Sequence, residues 1–236
     1  MKARIIALTI AILFANPVTY AQGTDNRVYA PNELILGMTY GDWSAAWWQF
    51  YLQIPNVSNS HPFVATANTT CNNGNQPAGP VFFLAAVGTQ TSPPPQVVRS
   101  CTVPAGSPIL VPIVNNETSN LEINGSDADL RTAAFSPFPL SSPPTMTVSL
   151  DGTSIGSLSQ FRFESPVFPF TAPSPISTFF FYTRTVSASS SRSPLSVSDG
   201  YWIAIKPLPV GLHTLSFSAS LPGIININML YHLNVQ

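Results

Sequence analysis

An antiparallel β-sandwich of about nine strands, with one N-terminal aromatic helix packed on it and a second short helix, is the fold class this 236-residue chain predicts. Three observations predict it. Short runs rich in β-branched and aromatic residues recur from residue 81 to residue 235, each bounded by Gly or Pro. The last of them, "IININMLYHLNV" (224–235), sets Ile225, Ile227, Met229, Tyr231, Leu233 and Val235 against mostly polar neighbours. That period of two belongs to a half-buried antiparallel strand. Only near the N-terminus do apolar residues take up a strong helical spacing.

Residues 1–21 read as an address. Lys2 and Arg4 precede the apolar run "IIALTIAILFA", which is short for a bilayer span, and Thr19 and Ala21 fit a cleavage after Ala21. Cleavage leaves residues 22–236 as a single domain with seven basic and ten acidic groups, a net charge of −3. The expected location is secreted or periplasmic, with no integral membrane segment. After an extended lead-in (22–38), Thr39 and Asp42 form a variant capping box and Pro55 stops the helix, predicting one over 40–53.

"GDWSAAWWQFYLQIP" (41–55) holds three of the four tryptophans. Tyr40, Trp43, Trp47, Phe50, Tyr51 and Ile54 share a broad face, as in a helix that covers a sheet. Trp48 lies well round from Trp43. The competing reading makes Trp43, Trp47 and Trp48 a stacking platform for sugar rings. A helix continued by Leu52 and Ile54 favours core for Trp43 and Trp47 and leaves Trp48 open.

The two cysteines, Cys71 and Cys101, predict a disulfide closing a loop of about 30 residues in an exported chain. Strands are expected at 81–87, 97–103, 108–114, 145–150, 160–168, 177–183, 201–205, 212–219 and 224–235. Ser126 and Asp129 form a second capping box that opens the short helix "DADLRTAAF". If 212–219 and 224–235 make a hairpin, residue 213 falls opposite Tyr231, and His213 and His232 point to opposite faces.

Charged residues make up 8% of the chain, far below the usual 25% or so. That excludes the basic stripe a nucleic-acid partner needs. It also protects weakly against self-association.

Four constellations carry candidate chemistry. "GTSIG" (152–156) matches a nucleophile motif, and Asp199 and His213 complete a Ser-Asp-His order, yet "SLDGTSIG" reads better as a turn at Asp-Gly. Of His61, His213 and His232, the last two fall on opposite faces, which disfavours a shared metal site, and His213 fits a hydrogen-bonded position at the core edge. "NNETSNLEINGSDAD" (115–129) offers Glu117, Glu122, Asn124 and Asp127 as oxygen ligands for calcium. Arg131 stands where the closing Glu of a calcium loop belongs, and acids at a helix start have their own reason to be there. The fourth constellation is the tryptophan group.

"WSAAWWQFYLQIP", "NQPAGPVFFLAA", "RSCTVPAGSPILVPIVNNETSNLE", "DADLRTAA", "FRFESPVF" and "SDGYWIAIKPLPVGLHTLSFSASLP" together resemble a family of exported bacterial proteins that go by names such as hypothetical or signal peptide protein. The resemblance implies a bacterial, exported, single-domain chain and carries no activity. The sequence thus predicts a secreted, non-catalytic binding or surface-associated module, its ligand a polysaccharide or another matrix component. Two other classes stand beside it. One is a hydrolase assembled from loop residues such as Asp199 and His213. The other is a self-associating subunit that pairs through the terminal strand 224–235.

Overall fold

Helix α1 (Tyr40–Leu52) begins where the capping box places it. Thr39 Oγ1 accepts from the Asp42 amide at 3.2 Å, and Asp42 Oδ2 accepts from the Thr39 amide at 3.0 Å. The structure is a computed structural model describing residues 25–58, 61–64, 76–180 and 193–236. The expected leader lies outside these residues. None of the described helices is long and apolar enough to cross a membrane.

Eleven strands follow among the described residues: β1 (Phe82–Phe83), β2 (Gly88–Thr89), β3 (Val97–Val103), β4 (Ile109–Ser119), β5 (Thr145–Leu150), β6 (Thr153–Ser154), β7 (Arg162–Glu164), β8 (Phe168–Pro169), β9 (Leu195–Ile205), β10 (Gly211–Leu221) and β11 (Ile225–Val235). Helix α2 (Asp127–Phe135) lies between β4 and β5, capped by Ser126 and Asp129 as expected.

The strands form two sheets, the predicted sandwich. One runs β1-β4-β9-β7, with β8 also on β9; the other runs β2-β11-β10-β5-β6, with β3 also on β11. The sandwich is not wholly antiparallel, because β1 with β4 and β3 with β11 run parallel. Consecutive strands β3 and β4 belong to different sheets, so these pairs form across the fold rather than through hairpins. Strand β9 is buried on both faces, hence its near-continuous apolar run "YWIAI". Helix α2 packs Leu130 and Ala134 against Val197 on one face of the first sheet. Helix α1 packs on the opposite face, where Ser44 and Ser198 hydroxyls meet at 3.2 Å.

Three expected strands are interrupted, each for a local reason. Between β1 and β2 the backbone leaves the ladder at Leu84–Ala85, whose carbonyls accept instead from Trp47 Nε1 and Tyr231 Oη. The run 160–168 splits at Ser165–Pro166, where proline has no amide to donate. In 177–183, Ile176–Thr178 forms a 3₁₀ turn, and residues 181–183 lie outside the described residues.

Two further expectations are corrected. The β10–β11 hairpin closes at Leu221–Ile225, so Leu215 faces Tyr231 and His213 faces Leu233. That two-residue offset keeps every side chain on its expected face. The terminal strand is not an exposed edge: β11 pairs with β10 on one side and with β3 from Met229 to Val235 on the other. At the margin of the first sheet, the Gln76 amide closes the outer side of β1. Its Oε1 accepts from the Phe83 amide at 2.8 Å and its Nε2 donates to the Phe83 carbonyl at 2.6 Å. Cys101 is buried in β3 and is not a free thiol, while Cys71 lies outside the described residues.

Candidate functional site

The aromatic helix face points inward. Trp43, Trp47 and Trp48 are 8%, 2% and 4% exposed. This settles Trp43 and Trp47 as core. It also removes Trp48 from a surface platform, because α1 packs on β7, β8 and β9 of the first sheet and the Trp48 ring lines a cleft with Asn115 and Ile227. Trp43 Nε1 donates to the Ile35 carbonyl and Trp47 Nε1 to the Leu84 carbonyl, each at 2.7 Å. The Trp47 ring stands edge-on to Trp202 at 5.2 Å and stacks on Phe63 at 5.4 Å.

Trp47, Trp48 and Phe63 border a cleft of about 90 Å³, lined also by Pro112, Asn115 and Ile227. The cleft is a product of the backbone. Pro112 cannot donate to the ladder, and the β4–β9 register shifts between Pro112 and Val114. The extra residue reverses the alternation. Asn115, opposite Gly200, therefore shares a face with Pro112, opposite Trp202. A regular strand would have presented Val114 there. The Asn115 side chain makes no hydrogen bond to another described residue, so its amide faces the cleft with donor and acceptor available.

Two of the four expected calcium ligands come together. Glu117, buried on β4, and Glu122, in the turn after it, lie within hydrogen-bonding reach of each other. Ser196 Oγ donates to Glu117 Oε1, and the Ser119 amide and hydroxyl donate to Glu122 Oε2 at 2.9 and 2.6 Å. Asn124, ahead of α2, and Asp127, its first residue, are both exposed. Burial, then the neighbouring carboxylate, pushes Glu117 well above the ordinary carboxylate range, and burial raises Glu122 too. Among the described residues Glu117 Oε2 finds no other donor, so the pair is satisfied when one proton bridges it. A raised folded value means that the native state binds protons the unfolded chain has released. Stability is then full below the unfolded carboxylate value and falls as pH rises through the folded one. Glu117→Gln is accordingly expected to raise the melting temperature at pH 8 and to leave it unchanged at pH 4. Thermal melts across that range check it.

The remaining candidates do not assemble. Asp199 lies on the α2 side of β9, bound by Arg162 Nε at 2.7 Å, and burial raises its carboxyl despite that contact. His213 sits in the other sheet, at the core edge as expected, with Asp151 at 2.7 Å. Ser154 lies exposed on the return strand β6 of an Asp151-Gly152 turn, with backbone φ of 50° and 75°, so no strand-to-helix elbow presents it. His61 is fully buried. Its Nδ1 accepts from the Phe63 amide, its Nε2 faces the Tyr51 carbonyl, and burial holds it neutral with a pKa lowered to about 4. His232 is exposed on the face opposite His213. Among the described residues no group of three His, Cys, Asp or Glu side chains is placed to hold a metal ion.

Sequence reading missed Asn115, Phe63 and Ile227 as cleft residues, and Asp151 as the partner of His213. Pro112 inside an apolar run was the available signal for the bulge, and Asp151-Gly152 was the signal for the turn.

No family model matches the chain, and no curated protein matches it. A solved structure titled "Solution Structure of Amebosin" aligns at 10% identity over 60% of this chain and 96% of its own, with a TM-score of 0.22.

Proposed function

We propose that this chain is an exported, non-catalytic binding module that seats the edge of one sugar ring of a polysaccharide or matrix glycan in the cleft between its sheets. The observation that carries the reading is the Asn115 amide, free of hydrogen bonds to other described residues, set among Trp47, Trp48 and Phe63. Ring faces and edges take the apolar side of a sugar, and an amide takes its hydroxyls. A cleft of about 90 Å³ holds roughly six waters, less than the roughly 150 Å³ that encloses a benzene ring, so it takes one edge of the sugar and leaves the rest outside. The reading places the signal cleavage after Ala21 and a Cys71–Cys101 bridge in the exported form.

The test is a titration of the purified mature protein with a panel of monosaccharides, oligosaccharides and insoluble polysaccharides, read by calorimetry and by carbohydrate release. One ligand is expected to bind without turnover. Asn115→Ala should weaken it about tenfold, the worth of one polar contact, with little change in melting temperature. No binder in the panel, affinity unchanged in Asn115→Ala, or release of product would each overturn the reading.

A further inference from the structure

His213 faces two acceptors at once. Its Nδ1 lies 2.7 Å from Asp151 Oδ2 and its Nε2 lies 2.9 Å from the Pro209 carbonyl. A neutral imidazole has one N–H and satisfies one acceptor; only the imidazolium donates to both. The same Asp151 accepts from the Thr214 amide at 2.8 Å through Oδ1, and its own amide donates to the Thr214 carbonyl at 2.8 Å. Three segments therefore meet at one ring: the β5–β6 turn, the loop 206–210 and the start of β10. We propose that His213 is a proton-operated clip, tying the β5–β6 turn to the loop before β10 as imidazolium and releasing one of them as neutral imidazole. The proposal stands independently of the cleft.

Lys206, which opens the loop 206–210, is paired with Glu33 at 3.3 Å. Arg27 reaches the same turn from the lead-in, donating to the Leu150 and Ser154 carbonyls at 3.1 Å each, and is itself paired with Asp25. Leu233, opposite His213 on β11, carries no charge. Hydrogen bonding to Asp151 raises His213 against the opposing effect of partial burial. Partial burial works against the Asp151 carboxylate, but its bonds from His213 and Thr214 prevail and hold it below the ordinary range. On the alkaline side, the clip's contribution is full below the unfolded histidine value of about 6.5 and is lost as pH rises through the higher folded value. On the acid side it is present above the unfolded aspartate value and disappears as pH falls through the lowered Asp151 value.

Nitrogen NMR of the His213 ring, with amide exchange at Asp151 and Thr214, tests the clip on the intact protein. At pH 5.5 both ring nitrogens should be protonated. Above the transition, exchange at the two amides should rise about tenfold beyond ordinary base catalysis, the factor that about 1.4 kcal/mol of lost interaction carries. In Asp151→Asn the His213 midpoint should move down, which a purely structural contact would not require. In His213→Gln the added pH dependence should vanish. A neutral, single-tautomer ring at pH 5.5 overturns the clip, as does an unchanged pH dependence in His213→Gln or an unmoved midpoint in Asp151→Asn.

Discussion

Trp47→Ala is expected to cost the fold about 3–5 kcal/mol, the range for removing a buried aromatic side chain. Three losses combine in it. The ring is 2% exposed, so nearly all of its contact area becomes cavity. Its edge-on contact with Trp202 and its stack on Phe63 go. The Leu84 carbonyl, left outside any ladder, loses the indole that satisfies it. For a domain of this size, thermal melts followed by circular dichroism should show a fall of roughly 6–20 °C. Trp47→Phe restores most of the volume but not the donor and should fall between the two. A loss below about 1 kcal/mol for the alanine variant would mean that α1 is not packed on the first sheet as described above.

Gly200→Ala is the second large effect, and it acts through the backbone. A Cβ at this position would sit 2.4 Å from the Asn115 Cα and 2.6 Å from the Val114 carbonyl oxygen. Neither is the tip of a flexible side chain, so β4 or β9 has to move. The expected cost is about 2–4 kcal/mol, in the upper part of the range for single substitutions. The displacement falls on Asn115, so the cleft is expected to distort with it. Gly156→Ala is the control, since nothing lies within 4 Å of a Cβ there. Denaturant titration of both variants checks the pair, and equal midpoints would mean that the two strands are less closely apposed than described.

Much of the architecture was legible because local chemistry and burial agreed. Thr39 with Asp42 and Ser126 with Asp129 marked both helix starts, since an orphan amide needs an acceptor wherever a helix begins. The alternation from Ile225 to Val235 marked the last strand, since one of its faces is the core. The neighbours of that strand were not legible. Pairing between β3 and β11 joins residues more than a hundred positions apart, and no local pattern records it. The cleft was hidden for a related reason. Strict alternation assigns Asn115 to the wrong face, and only the bulge at Pro112–Val114 returns it to the cleft. The acidic stretch offers four oxygen ligands in sequence, but their division was not legible. Strand β4 continues through Glu117 to Ser119, which carries Glu117 inward to Glu122 and leaves Asn124 and Asp127 outside.

The Gln76 amide bears on how copies of this chain meet one another. With charged residues at 8%, little electrostatic repulsion keeps two molecules apart. Sheet margins elsewhere are commonly guarded by lysines that an approaching strand cannot desolvate. Here the guard is neutral. Gln76 already occupies the two hydrogen-bonding groups that Phe83 would offer a newcomer, so a second chain would have to evict a bonded partner before it could dock. The chain thus obtains at this margin, from one uncharged side chain, a protection that its composition withholds from the surface at large.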